Sequence, residues 1–159
     1  MASVRKTCEE VLLKASHVAV NESALHRVCE DLKNTEFLPE SWSSFPYHYL
    51  GKNQIDYIFA LDALNYCFWP TEGLEYEHLA ANLKELMQSD PFALSPQALA
   101  SFTSETLESK VFCGFRVPLA EERTRLLREL GTNTLKHFQG NFSNILQASD
   151  SSAEKVTAT

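Results

Sequence analysis

Two polar residues, Asp62 and Asn65, stand inside the most apolar stretch of the chain, Ile55 to Trp69. On a helix they would share a face with Ile58 and Trp69. Buried polar groups are costly unless hydrogen-bonded. Two readings stay open: ligand contacts in an aromatic-lined pocket, or a core hydrogen-bond pair that pins two helices. His48 lies in Tyr47-His48-Tyr49. It is either a hydrogen-bond partner or general acid/base at a pocket rim, or a loop histidine packed between two rings. Glu121-Glu122-Arg123 follows Pro118 and opens a helix. First-turn acids complement the helix dipole. Glu121 with Arg125, and Glu122 with Arg123 or Arg125, would form exposed pairs worth little. Arg116, Arg123 and Arg125 could instead build a single-phosphate site.

Other patterns carry less. Ser3-x-x-Lys6 and Ser152-x-x-Lys155 spell S-x-x-K without its companion motifs. Asn21-Glu22-Ser23 and Asn141-Phe142-Ser143 are glycosylation sequons by spelling only. There is no Walker loop, G-x-G-x-x-G or H-E-x-x-H string. Cys8, Cys29, Cys67 and Cys113 form no C-x-x-C pair, which is not zinc-ligand spacing. They read as reduced, mostly buried thiols of a cytosolic or nuclear protein.

The elements that must position these residues all show the helical period. Val4, Cys8, Val11, Leu12 and Ala15 mark one amphipathic face. Asn21 is the expected cap of a second helix, about 22–33, with Leu25, Val28, Cys29 and Leu32 on its face. Residues 34–53 form a long loop rich in aromatics: Phe37, Trp42, Phe45, Tyr47 and Tyr49. Such loops are normally packed down, and many are functional. Ile55 to Trp69 reads as one buried helix ended by Pro70. Tyr76 to Met87 carries the next stripe and stops at Asp90-Pro91. Ser95-Pro96 starts a short helix, and Thr103 or Ser104 caps another that runs through Leu107 and Val111. A long helix follows Pro118 and includes Leu119, Leu126, Leu127, Leu130, Leu135 and Phe138. Gly131 inside it costs roughly 1 kcal/mol against alanine, which a close helix crossing would explain. Gly140 is a C-terminal stop, and Phe142, Ile145 and Leu146 suggest a last turn or two. The expected fold is all-α, a globular bundle of about seven helices.

Composition agrees. The chain has 159 residues, 44% of them hydrophobic, with ten Phe, five Tyr and two Trp. That excludes a disordered or low-complexity protein. A chain of net charge −7 lacks the basic field that gathers phosphates, which argues against direct double-stranded nucleic-acid binding. Glu9 and Glu10 interrupt any signal-peptide core, and no apolar run approaches the ~20 residues of a membrane span.

The string Tyr57-Ile58-Phe59-Ala60-Leu61-Asp62-Ala63-Leu64-Asn65-Tyr66-Cys67-Phe68-Trp69-Pro70 resembles the D-[AST]-L-N-F-x-F-W signature of the queuosine salvage proteins. Supporting blocks lie in the family's order. They are His48-Tyr49, Leu74 to Ala80, Val117 to Arg123, Gly140 to Asn144 and Ser151 to Lys155. The resemblance implies an all-helical enzyme related in fold to helix-hairpin-helix DNA glycosylases. It implies hydrolysis of the N-glycosidic bond of queuosine 5′-phosphate, releasing queuine for tRNA modification, with no metal or organic cofactor. It implies a substrate contact at His48 and makes Asp62, Asn65, Phe68 and Trp69 pocket-lining or buttressing residues. Glu122 and Arg123 match an E-E-R block of structural character. The family's catalytic aspartate lies in an F-A-D-Y-type motif in the second half of the full chain, and that motif does not occur here. Residues 1–159 are therefore expected to be the N-terminal part of a single helical domain, cut before its catalytic motif. A catalytically inactive queuine-binding or regulatory module, and a helical scaffold without ligand, are the alternatives.

Overall fold

The structure is a computed structural model that describes residues 4–36 and 40–156. Ser3 of the first S-x-x-K string, and Phe37 in the aromatic loop, lie outside the described residues. Every regular element among the described residues is helical, as expected from the periodicity. The chain divides into two compact units, Met1–Glu40 and Ser41–Thr159.

The first unit holds α1 (Val4–Lys14) and α2 (Glu22–Asn34). The Asn21 side chain caps α2 by accepting from the Ala24 N–H at 2.9 Å. Neither helix has a buried residue, so their apolar stripes lie open.

The second unit carries the core. A 3₁₀ turn, Trp42–Ser44, precedes α3 (Gln54–Leu64) and α4 (Tyr76–Ser89). The short helices α5 (Pro96–Ala100) and α6 (Ser104–Thr106) follow, and α6 runs into a π-helical turn, Leu107–Val111. Then come α7 (Ala120–His137), α8 (Phe142–Ala148) and α9 (Ala153–Val156). Tyr57, Leu61, Leu64, Leu79, Leu83, Met87, Leu99, Phe112, Leu127 and Phe142 are buried together. Ser95 and Thr103 cap α5 and α6 through their hydroxyls, as their positions suggest. Gly131 sits where α7 crosses α5: an added Cβ would lie 2.4 Å from the Ala100 nitrogen and 2.6 Å from the Pro96 carbonyl oxygen.

Four expectations are corrected. Nine α-helices are found among the described residues, rather than about seven. The apolar stretch is not one helix to Trp69, because α3 stops at Leu64 and Asn65 leaves helical geometry. Leu119 lies outside α7 in a left-handed conformation, φ 57°, and is exposed. All four cysteines are free and exposed, because Cys8 and Cys29 lie on the uncovered helices while Cys67 and Cys113 sit in turns. Among the described residues no helix is long and apolar enough to cross a membrane.

Candidate functional site

The aromatic loop is packed down around His48, which is buried. Its Nδ1 lies 2.8 Å from the Trp42 carbonyl oxygen, so that nitrogen carries the proton. Nε2 then accepts from the Tyr76 hydroxyl at 2.8 Å. The imidazole stacks on Trp42 with ring centroids 3.5 Å apart, and Tyr47 meets it edge-on. Both ring nitrogens of His48 are thus engaged within the chain.

Asp62 stands two turns along α3, exposed at one wall of a cleft of about 410 Å³. The other walls are Ile58, Phe59, Leu146, Ser151, Ala153 and Val156. Partial loss of water pushes the Asp62 carboxyl above the usual carboxylate range. Burial pushes the Tyr76 phenol above its usual range, with smaller contributions from Tyr47 and Asp62. Asp56, in the first turn of α3, is pushed up further, to about 6, again by burial.

Asn65, Phe68 and Trp69 lie on the turn after α3, not on the helix face with Asp62. None of the three, nor His48, lines the Asp62 cleft. Trp69 is 84% exposed, and the peptide bond to Pro70 is cis. Arg123 holds this turn. Its guanidinium is fully buried and donates to the carbonyls of Leu64, at 2.5 Å, of Tyr66, and of Cys67 at 3.0 Å. Its Nε donates to the Pro118 carbonyl at 2.9 Å. The rings of Tyr66, Phe68 and Phe112 surround it at 4.2, 5.7 and 5.3 Å. A cation at carbonyls that a helix C-terminus leaves open is favourably placed. Burial lowers the Arg123 pKa, yet the guanidinium keeps its charge.

The three-arginine phosphate site does not form, because Arg123 points inward. Arg125 instead pairs with Glu122 at 2.5 Å and with Glu129. Only Arg116 and Arg125 of the three line the shallow cleft beside Glu121 and Glu122.

A second cleft, of about 550 Å³, lies between α3, α7, α8 and α9. Phe59 and Val156 line both clefts, which therefore adjoin. Asn133 and His137 supply polar groups, with Leu130, Phe138 and Ile145 as apolar walls.

The sequence pattern of the queuosine salvage proteins matches residues 46–159. The chain belongs to the queuosine salvage protein family. The queuosine 5′-phosphate N-glycosylase/hydrolase of Dictyostelium discoideum is 33% identical over 164 residues, covering 94% of this chain and 50% of that protein. The protein of the same name from Sphaerobacter thermophilus is 30% identical over 162 residues, again 94% and 50%. The one from Bos taurus is 27% identical over 177 residues, 96% and 51%. The chain spans about half the length of the curated relatives it matches. Within this queuosine salvage chain, sequence reasoning missed Phe59, Asn133 and His137 as cleft-lining residues and Tyr76 as the partner of His48. Tyr76 and Phe59 read as core members, and Asn133 and His137 carried no signal beyond a solvated helix face.

Proposed function

We propose that this chain acts in queuosine salvage, in the hydrolysis of the N-glycosidic bond of queuosine 5′-phosphate. Membership of the family, with relatives named for that reaction, is the observation that carries the reading. Water bonds to the anomeric carbon while the C–N bond breaks. The electron pair leaves with the base, which takes up a proton, and the products are queuine and ribose 5-phosphate. A carboxylate stabilises the oxocarbenium-like sugar in such reactions. By resemblance that carboxylate belongs to the F-A-D-Y-type motif, so the chain's own contribution is binding.

The proposed binding residues remain His48, Asp62, Asn65, Phe68 and Trp69, with distinct parts. Asp62 meets the ligand directly from the cleft wall. His48 acts by fixing Tyr76, since both its nitrogens are engaged. Asn65, Phe68 and Trp69 ride on the turn that Arg123 clasps. We place the protein in the cytoplasm or nucleus, on its four free thiols, and propose no direct nucleic-acid contact, on its charge of −7.

One observation favours a second reading. Asp62 is the one carboxylate lining the two adjoining clefts among the described residues. That suits a module that holds queuine without cleaving the nucleotide. Incubation of queuosine 5′-phosphate with this chain and with a longer chain that carries the F-A-D-Y-type motif decides: release of queuine by the longer chain supports hydrolysis, and queuine binding by both without release from either selects the module. Neither release nor binding overturns both.

A further inference from the structure

Helices α1 and α2 have the apolar pattern of helices that pack, yet neither buries a residue. On α1, Val4, Cys8, Val11 and Leu12 recur at helical spacing and share one face. On α2, Leu25, Val28, Cys29 and Leu32 do the same. All of these side chains are exposed, Val11 at 62% among them. Helices of 11 and 13 residues are marginal in water without such a face covered. Their charges narrow what covers them. Arg5, Lys6 and Lys14 nearly balance Glu9 and Glu10 on α1, and Arg27 and Lys33 nearly balance Glu22, Glu30 and Asp31 on α2. That lacks the basic face that an anionic lipid surface selects. It suits an apolar groove in a polypeptide, where a helix docks through residues three and four apart. The relatives supply the occupant. The match to the Dictyostelium discoideum protein leaves only 6% of 159, about ten residues, of this chain unmatched, so most of residues 4–34 has a counterpart there. The same protein carries as much chain again outside the match.

We propose that the apolar faces of α1 and α2 are a docking surface for the part of the longer queuosine salvage chains that this chain does not match. The occupant is an apolar surface of that other half, joined to this chain or supplied separately. Docking hides the Cys8 and Cys29 thiols, which lie within the two faces. It leaves Leu13 outside the contact, since that residue stands on the far side of α1 from Val4 and Val11. The proposal rests on family membership and not on the hydrolysis reading.

Co-expression of the 159-residue chain with the unmatched part of the Dictyostelium discoideum protein tests this. Light scattering reads the complex, and maleimide labelling mapped by peptide mass reads each cysteine. A one-to-one complex is expected, with Cys8 and Cys29 labelled at least tenfold more slowly than in the chain alone. Val11→Glu and Val28→Glu change exposed positions, so they should keep the fold, and each is expected to abolish the complex. Leu13→Glu is expected to leave its affinity within twofold. A complex that tolerates both face changes, or that leaves Cys8 and Cys29 open, overturns the proposal. The whole Dictyostelium discoideum protein decides where the separate part yields no soluble complex. Hydrogen exchange in its segments matched to α1 and α2 is expected to be at least a hundredfold slower than in the 159-residue chain. Equal exchange overturns the proposal. Labelling of Cys8 and Cys29 that slows in the 159-residue chain alone, as its concentration rises a hundredfold, assigns the faces to a second copy and also overturns it. Slowing by phosphatidylserine vesicles does the same in favour of a membrane. None of these readouts is queuine release, so failure here leaves the salvage reading standing, and absent release leaves the docking surface standing.

Discussion

Arg123 is a buried cation with no carboxylate in an ion pair with it among the described residues, held by backbone carbonyls and aromatic faces. Its planar fork is what allows one side chain to reach Leu64, Tyr66, Cys67 and Pro118 together. Lysine carries the charge but is a point donor and cannot span these acceptors. Arg123→Met removes the charge and every donor, stranding carbonyls at the end of α3. The expected cost is about 3–5 kcal/mol, as for a broken buried polar network. Arg123→Lys should cost less than Arg123→Met but more than a surface change. Denaturant unfolding of both variants checks the order. Equal stability of wild type and Arg123→Met would refute the clasp. His48 shows a related economy, because its tautomer is set by the Trp42 carbonyl and leaves Nε2 to orient Tyr76.

The elements show which parts of the fold are local and which are not. Gly131 illustrates a tertiary demand that overrides propensity. Alanine would gain roughly 1 kcal/mol of helix propensity. Its Cβ would, however, meet backbone atoms of Pro96, Leu99 and Ala100 at 2.6, 2.9 and 2.4 Å. Backbone cannot rotate away as a side chain can. Gly131→Ala is therefore expected to destabilise by about 2–4 kcal/mol, read as a lower melting temperature. A neutral or stabilising outcome would mean that α5 and α7 do not cross so closely. Helix starts at Asn21, Ser95 and Thr103 were legible because a cap is a hydrogen bond to a residue two or three places on. The end of α3 was not legible, because Arg123 lies 59 residues from Leu64 and nothing near Leu64 announces the stop. The site divides in the same way. Asp62 stood out as a charge in an apolar segment. Asn133 and His137 did not, since polar residues on an amphipathic helix look like its solvent face. Phe59 read as core until the cleft beside it was visible.

Across the molecule, stabilising contacts are unevenly spread. Large exposed aliphatics concentrate in residues 4–32, among them Val4, Val11, Leu13, Val18, Val20, Leu25, Val28 and Leu32. Helices α1 and α2 have 11 and 13 residues and bury none of them. Isolated helices of this length are marginal in water. Their exposed pairs, Arg5 with Glu9 and Lys33 with Glu30, add only a few tenths of a kcal/mol each. By contrast α3 buries Tyr57, Ala60, Leu61 and Leu64, and α4 buries Leu79, Ala80, Leu83 and Met87. Hydrogen exchange should report this difference. Amides of α1 and α2 are expected to exchange within roughly 10–100-fold of unstructured rates, opening by local fraying. Amides of α3, α4 and the buried side of α7 should be slower by about three orders of magnitude or more, opening only with the core. Equal protection in α1 and α3 would show that the open apolar stripes are covered in solution. The surface that covers them would then be the next object to find, by mapping which side chains of residues 4–32 lose solvent access.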